Sequence, residues 1–256
     1  MVPRSLVLVV ALAVVDILCV PLTASAQLKV IISGGFNAAY RELVPQFEAA
    51  NGVTVTTTTG GSVGSGPNTI GAQLRRGVQA DVVILAREGL SELIAERRVT
   101  AGSDVDLARS VIGMVVRSGA PKPDISTPEK LKQVLLQAKS VAVSSSTSGV
   151  YLTTTLFPKL GIAEAMQAKT SMSGAALVGR VEAEIGLQQV SEILPIPGTT
   201  FVGTIPAEIQ YVTTYAGAVV AGSTQASTAS KLLAFLSSTT AAPAITRSGM
   251  EPAPRR

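Results

Sequence analysis

The chain has 256 residues, a formal net charge of +4, one Cys and no His. A lone Cys excludes an intrachain disulfide and a thiolate zinc site, and the absence of His excludes Ser-His-Asp catalysis and imidazole metal sites. With no Trp and 4% aromatic residues, stacking platforms for sugars or single-stranded nucleic acid are not expected. We therefore expect no cofactor and no nucleic-acid partner.

The first 26 residues have the pattern of a signal peptide. Arg4 precedes an apolar run over 6–15, and Ala24-Ser25-Ala26 supplies the small residues at which a signal peptidase cleaves. The run is shorter than the roughly 18 apolar residues of a membrane span, and Asp16 ends it. We expect cleavage before Gln27 and a periplasmic location for the mature chain.

The first part of the mature chain alternates between strand and helix patterns. In chain order we predict strand 28–33, a helix capped by Asn37 and closed by Gly52, strand 53–59, a short helix around Ile70 and Leu74, strand 80–86, and helix 88–97 with Leu90, Leu93 and Ile94 on one face. The run over 80–86 is apolar apart from Asp81, as in a parallel strand that is buried on both faces. This βαβ series predicts a parallel sheet with helices on both faces.

A second series of the same kind follows. Its predicted elements are strand 111–116, a helix capped by Thr127 and running to 138, strand 140–143, a helix that carries Tyr151, helix 175–183, strand 184–188, extended segments 201–204 and 210–220, and helices 227–236 and 240–247. We predict a two-lobed α/β protein, each lobe a mainly parallel sheet flanked by helices. Lobe 1 would comprise residues 27–108 plus 213–256 and lobe 2 residues 109–212, with crossing strands within 107–116 and 210–220.

Three Ser/Gly turns follow predicted strands and precede predicted helices. They are Ser33-Gly34-Gly35, the loop over 60–65, and the segment from Ser144 to Gly149. Ligands of open parallel sheets bind beyond the carboxyl ends of the strands, where free backbone N–H groups and helix dipoles favour anions. One such turn is ordinary capping chemistry, but three together predict a site for an oxyanion or carboxylate. None matches a P-loop or a dinucleotide fingerprint.

Several short motifs, in their order, resemble those of the molybdate-binding protein family. They are Ser33, the Ser62 loop, Ala80-Asp81-Val82-Val83, Ala183-Glu184-Ile185-Gly186 and Gly249-Met250-Glu251-Pro252. The resemblance implies a type II periplasmic binding protein, a monomer that holds a small anion between its lobes and delivers it to an inner-membrane ABC transporter. It also implies ligand contacts from Ser33 and its neighbour Gly34, from Ser62, and from Ser148 and Gly149.

One position departs from the molybdate-binding pattern. The family's tyrosine falls at Gln189, within Gly186-Leu187-Gln188-Gln189. The Gln189 amide offers two donors and an acceptor, which suits a protonated or hydroxyl-bearing carboxylic acid better than a bare tetrahedral oxyanion. We therefore expect Gln189 to contact the ligand and an organic carboxylate to bind better than molybdate.

A closer likeness keeps a second function open. The segments 33–40, 148–151 and 188–198 are similar to those of a branch that includes periplasmic aconitate isomerases, which implies an enzyme that moves an allylic proton. Such an enzyme needs a general base near a carbon acid, and the residue types available are Glu, Asp, Lys and Tyr. No one of them stands out in the sequence, so the carrier is favoured and the isomerase is the alternative.

Two further side chains, Arg87 and Tyr151, are of types that could act in an anion site. Arg87 follows a predicted strand and has the geometry to pair a carboxylate through two bonds, but an exposed arginine at a helix start is the commoner role. The spacing of Tyr151 with Leu152 and Leu156 favours packing within a helix over a catalytic phenol.

Overall fold

The computed structural model describes residues 27–254, and the predicted signal peptide lies outside them. The strands are β1 (Gln27–Ile32), β2 (Thr54–Thr59), β3 (Val82–Ala86), β4 (Val105–Ser110), β5 (Ile112–Arg117), β6 (Val141–Val143), β7 (Thr170–Ser171), β8 (Ile185–Gln189), β9 (Thr199–Thr204), β10 (Thr213–Val219) and β11 (Glu251–Pro252). The α-helices are α1 (Gly34–Asn51), α2 (Ile70–Arg75), α3 (Arg87–Ala95), α4 (Pro128–Gln137), α5 (Thr147–Tyr151), α6 (Phe157–Lys159), α7 (Ala163–Gln167), α8 (Ala176–Gly179), α9 (Val190–Ile193), α10 (Ala226–Leu236) and α11 (Ala242–Arg247). None of the described helices has the length and apolar character of a membrane span.

The strands form two sheets, both flanked by helices. The first has the order β11-β4-β10-β3-β1-β2, and the second has the order β7-β6-β8-β5-β9. Strand β1 pairs in parallel with β2 and β3, and β6 pairs in parallel with β7 and β8. The strands β10 and β5 pair antiparallel to their neighbours, so both sheets are mixed. The predicted two-sheet α/β architecture is confirmed, but the expectation of mainly parallel sheets is wrong. Five of the nine pairings between the described strands are antiparallel, because the crossing strands β5 and β10 run opposite to both of their neighbours.

The chain crosses between the sheets twice. It leaves the first sheet after β4, which ends at Ser110, and enters the second at Ile112. It returns between β9 and β10, where β10 begins at Thr213. Because β4 belongs to the first sheet as far as Ser110, two residues past the predicted bound, we propose the short link at Val111 as the first lobe boundary. The predicted lobe bounds themselves stay a prediction.

The central strands of the first sheet are buried on both faces. In β1, Val30 and Ile32 pack with α1 and α10, whereas Ile31 packs in a separate cluster on the opposite face. In β3, Val83 and Leu85 join that opposite cluster. Side chains of a strand alternate between faces, so the apolar runs predicted as buried strands are buried on both sides. This packing holds the carboxyl ends of β1 and β3, and therefore the turns after them, in defined positions.

The first helix starts earlier than its predicted cap at Asn37. Helix α1 begins at Gly34, and Ser33 is its N-cap residue with an extended backbone (φ −86°, ψ 161°). The glycines at the start have no Cβ to clash with neighbouring side chains, which allows the helix to begin against the body of the protein. Gly52 closes the helix in the left-handed region (φ 63°), as predicted.

Other elements differ from the sequence prediction in their length, regularity or buried face. The predicted helix 175–183 is the single turn α8, and Val181 beyond it has a positive φ of 65°. The helix that carries Tyr151 is divided by a π-helical turn at Leu152–Leu156. In α3, Ile94 is exposed instead of sharing the buried face of Leu90 and Leu93. The elements α7, α9, β4, β7 and β11 were not predicted, and four of these five have five residues or fewer.

Candidate functional site

A cavity of about 310 Å³ lies between the two sheets, at the ends of their strands. Its walls are Ser33–Gly35, Gly60–Ser62, Ser144–Ser148, Met172–Gly174, Gln188–Gln189, Glu192 and Tyr215. The volume falls within the range of about 300–1,000 Å³ that is typical of small-molecule sites. The three Ser/Gly turns singled out from the sequence therefore meet at one cavity.

Ser33 has unused hydrogen-bonding capacity. Its hydroxyl is buried, has no hydrogen-bond partner and makes no capping bond, although Ser33 stands at the N-cap of α1. Its backbone N–H is already committed to Ile84 O at 2.8 Å. The first N–H groups of an 18-residue helix such as α1 have no partner within the helix, and they form the positive end of its dipole. Because a buried unsatisfied hydroxyl costs about 1–3 kcal/mol, an acceptor atom of a ligand would be stabilising here.

Ser62 joins the turn after β2 to the turn after β6. The backbone N–H of Ala86 donates to Ser62 Oγ at 2.9 Å, so the hydroxyl proton of Ser62 remains available to a ligand. The backbone N–H of Ser62 donates to Ser146 Oγ at 3.2 Å. A Cβ on Gly89 would overlap Ser62 O, so the glycine allows α3 to approach this turn.

The turn after β6 supplies hydroxyls from the second sheet. Ser148 is buried, and its Oγ shares a hydrogen bond of 3.1 Å with Ser144 Oγ. Thr147, which the sequence analysis did not single out, has a buried Oγ1 with no partner. Gly149 does not line the cavity, and its backbone N–H donates to Ser144 Oγ at 3.3 Å. We therefore propose Thr147 Oγ1, rather than the Gly149 N–H, as the ligand donor of this turn.

Gln189 lines the cavity but is engaged in internal bonds. Its amide bonds to Thr213 Oγ1 at 2.6 Å, at the start of β10. With the amide reversed, its nitrogen also donates to Ser110 O and Val111 O, both at 3.2 Å. Gln189 thus ties together both segments at which the chain crosses between the sheets. Its predicted contact with the ligand stays a prediction.

One acidic side chain that the sequence analysis did not single out reaches the cavity. It is Glu192 of α9, and none of the described residues that line the cavity is Lys or Arg. Burial raises the pKa of the Glu192 carboxyl above its ordinary value of 4.5, and a hydrogen bond with the Gln188 side chain lowers it in part. A Cβ on Gly34 would overlap Glu192 Oε1, so the absence of a side chain at Gly34 makes room for this carboxyl.

A signal for Glu192 did exist in the sequence. The segment 188–195 belongs to the stretch that is similar to aconitate isomerases, and Glu192 is its only acidic residue. What the sequence did not show is that this residue faces the Ser/Gly turns.

Tyr215 of β10 also lines the cavity. It is 3% exposed, and a Cβ on Gly35 would overlap its Oη. Burial raises the pKa of the Tyr215 phenol well above its ordinary value of 10.0, and the charge of Glu192 raises it further. The phenol is therefore protonated at neutral pH, so its proton is available for a hydrogen bond to a ligand.

Arg87 and Tyr151 do not line the cavity. Arg87 forms ion pairs with Asp104, at 2.6 Å, and with Asp106. Tyr151 stacks on Tyr211 with ring centroids 4.8 Å apart and donates to Ile209 O at 2.9 Å. Within residues 27–254, no group of acidic side chains is placed to hold a metal ion.

Two helix-flanked α/β sheets with a cavity between them have the fold of type II periplasmic binding proteins. The chain belongs to the family of bacterial extracellular solute-binding proteins, whose family model matches residues 28–251. The chain is also 43% identical over 231 residues to an aconitate isomerase of Pseudomonas sp, covering 89% of this chain and 88% of the relative. The predicted family and branch are thus confirmed.

Solved structures share the fold at low sequence identity. The periplasmic molybdate-binding protein of Azotobacter vinelandii has a TM-score of 0.67 at 20% identity, over 89% of this chain and 100% of that chain. The sulfate-binding protein SubI of Mycobacterium tuberculosis has a TM-score of 0.66 at 18% identity, over 89% of this chain and 87% of that one. At these identities the likeness concerns the fold alone.

Proposed function

We propose that this protein is a periplasmic isomerase that binds aconitate in the cavity and interconverts its cis and trans isomers. The observation that carries the proposal is Glu192, a carboxyl with a raised pKa in a cavity whose other described walls are neutral. A carrier of anions needs donors, and an acidic side chain among them opposes binding of an anion. A proton-transfer enzyme, by contrast, needs such a group, and the similarity to an aconitate isomerase supports this interpretation.

The reaction requires one proton to move between two carbons. In this proposal the Glu192 carboxylate takes a proton from the saturated carbon of aconitate, and the C–H electron pair forms a new double bond. The electron pair of the old double bond moves to the far carbon, which receives the proton from Glu192. A general base works best when its pKa lies near the operating pH, and burial moves the pKa of Glu192 in that direction.

The carboxylates of the substrate would be held by neutral donors. The unpartnered hydroxyls of Ser33 and Thr147 and the free proton of Ser62 lie on different walls of the cavity. A hydrogen bond to a charged group contributes about 1.5–3 kcal/mol net. Several such bonds, together with the first N–H groups of α1, offset the cost of taking the substrate out of water.

The test is turnover of purified mature protein with trans-aconitate, followed by chromatography of the cis isomer. We expect steady turnover in the wild type, loss of turnover in Glu192→Gln with retained aconitate binding, and normal turnover in Glu129→Gln. Glu129 is an exposed residue of α4 and makes the same chemical change far from the cavity. A wild-type protein that binds aconitate and returns it unchanged would contradict the isomerase and establish a carrier.

The second candidate is a binding protein that delivers a small anion to an inner-membrane ABC transporter. It is favoured by the family, which comprises extracellular solute-binding proteins. Thermal-shift screening against oxyanions and tricarboxylates distinguishes the ligands, because a ligand at one hundred times its Kd adds about 2.7 kcal/mol of stability. Tight molybdate binding without a response to carboxylates would contradict aconitate as the ligand.

Both candidates require export. Mass spectrometry of the protein recovered from the periplasm tests this, and we expect a mature chain that begins at Gln27.

A further inference from the structure

We propose that Tyr215 is a second catalytic residue, whose phenol donates a hydrogen bond to the substrate carboxylate on which negative charge gathers during proton transfer. The inference rests on the proposed isomerase function. The reaction scheme names a base but no donor for the carboxylate that receives the negative charge. When the saturated carbon loses its proton, the electron pair delocalises through the double bond onto the conjugated carboxylate. That carboxylate needs a donor whose bond strengthens as the charge increases.

The position of Tyr215 in the sheet directs it to the cavity. It pairs with Ala86 of β3 on one side and with Ala108 of β4 on the other, and the register with β4 shifts between Tyr215 and Ala216. Such irregularities re-aim a side chain relative to a regular strand. The phenol lines the cavity although the residue is almost fully buried.

The phenol oxygen lies over the first turn of α1. A Cβ on Gly35 would overlap both Oη and Cζ of Tyr215. The first turn of α1 carries the unpaired N–H groups of the helix start, and the unpartnered Ser33 hydroxyl lies directly before it. Three kinds of neutral donor therefore lie next to one another at the start of α1: a hydroxyl, backbone N–H groups and a phenol.

The base and the donor occupy adjacent places on the cavity wall. Glu192 Oε1 lies against Gly34 and Tyr215 Oη lies against Gly35, which is the next residue. The two side chains are close enough for the Glu192 charge to raise the pKa of the Tyr215 phenol. A substrate carbon placed at Glu192 would thus bring its neighbouring carboxylate to Tyr215 and to the start of α1.

Substitution by Phe isolates the hydroxyl from the rest of the side chain. Tyr215 belongs to the core cluster of the first sheet, and Phe retains the ring that packs there. The matched control is Tyr40→Phe. Tyr40 is also buried in that core, and its Oη bonds to Thr57 Oγ1 at 2.9 Å, away from the cavity walls.

The experiment measures kcat and KM for aconitate isomerisation, together with calorimetric binding of propane-1,2,3-tricarboxylate, which has no double bond and does not isomerise. For Tyr215→Phe we expect kcat to fall about 100- to 1,000-fold, the typical effect of removing one donor to a developing oxyanion. The Kd of the saturated tricarboxylate should change less than about threefold, because a bond made mainly in the transition state contributes little to ground-state binding. Tyr40→Phe should keep the wild-type kcat.

Three results would overturn the assignment. They are a kcat for Tyr215→Phe within about threefold of wild type, an equal loss in Tyr40→Phe, or a loss of tricarboxylate affinity as large as the loss of kcat. If Tyr215→Phe does not fold, fluorotyrosine at 215 keeps the packing and makes the phenol a stronger hydrogen-bond donor, so kcat should change while the Kd of the saturated tricarboxylate stays within about threefold of wild type; an unchanged kcat rejects the role. A wild type without turnover rejects the isomerase itself, whereas a kcat of Tyr215→Phe equal to that of an active wild type rejects only the role of Tyr215.

Discussion

Ser33 and Ser62 together test whether the cavity binds the ligand. Ser33 Oγ has no partner in the described structure, and Ser62 Oγ accepts from Ala86 N while its own proton is unused. Replacing both by Ala removes two donors to a charged ligand, each worth about 1.5–3 kcal/mol. We expect the double variant to bind aconitate at least about tenfold more weakly in calorimetry.

The control for this pair is Ser230→Ala, which removes an exposed hydroxyl bonded to Ala226 O on α10. Its affinity should equal that of the wild type. An unchanged affinity of the Ser33 and Ser62 double variant would reject the site.

Glu192 makes the stability of the ligand-free protein depend on pH. Its pKa is raised in the folded state, mainly by burial. A group of this kind contributes stability that is complete below the unfolded pKa and is lost as the pH rises through the folded pKa. We therefore expect the wild type to lose free energy of unfolding relative to Glu192→Gln as the pH increases above about 4.5.

Urea unfolding of both proteins at several pH values measures this difference. Glu129→Gln, in which the substituted carboxyl is exposed, serves as the reference for a solvated group. Parallel pH profiles of wild type and Glu192→Gln would show that the Glu192 carboxyl is not desolvated.

At the scale of elements, the start of α5 determines whether the second sheet presents its hydroxyls correctly. A Cβ on Gly149 would overlap the backbone oxygen of Ser144, and backbone does not move aside as the end of a side chain does. We expect Gly149→Ala to destabilise the fold by about 1–3 kcal/mol, as overpacking does. Because the turn with Thr147 and Ser148 must shift, aconitate binding should weaken as well.

The matched substitution is Gly66→Ala, in the loop after β2, where a Cβ meets nothing within 4 Å. Chemical denaturation and calorimetry of the two variants separate a local clash from a general effect of adding a methyl group. Equal behaviour of the two variants would contradict the proposed role of the turn.

The elements also show why some of the site was missed. Helix α9 has four residues, too few to produce a helical period in the sequence, and it is the element that carries Glu192. Strand β4 has mixed burial, with an exposed Arg109 between buried Ala108 and Ser110. Its sequence pattern therefore did not predict a strand. By contrast, α1 has a long helical period and β3 is an unbroken apolar run, and their sequence predictions are confirmed apart from their bounds.

At the scale of the whole molecule, side-chain bonds hold the two sheets around the cavity. Tyr211 precedes β10, stacks on Tyr151 of α5 and donates to the Glu88 carboxylate at the start of α3. The Ser62 N–H to Ser146 Oγ bond joins the sheets at another point. The Ser62 bond connects the turns after β2 and β6, and both contacts stabilise the observed arrangement of the two sheets around the cavity.

Tyr211→Phe removes the bond to Glu88 and keeps the aromatic stacking. Since one hydrogen bond contributes about 0.5–1.5 kcal/mol, we expect ligand dissociation to become roughly 2- to 12-fold faster in stopped-flow measurements. Tyr151→Phe removes a bond to Ile209 O. Both residues come before the chain returns to the first sheet, so this variant should keep a rate close to wild type. Identical rates in Tyr211→Phe and wild type would show that this contact does not control closure.

The sequence by itself determined the features that depend on neighbouring residues. Strand and helix periods predicted the α/β class, Ser/Gly turns predicted an anion site from Ser33, Ser62 and Ser148, and the lack of His limited the possible chemistry. These are local signals, because periodicity and turn chemistry act over a few residues. The tertiary structure alone decided which side chains share the cavity. Glu192 meets Gly34, and Tyr215 meets Gly35, across contacts between segments far apart in the chain. Such contacts depend on how the crossing strands place one sheet against the other, which no local pattern encodes.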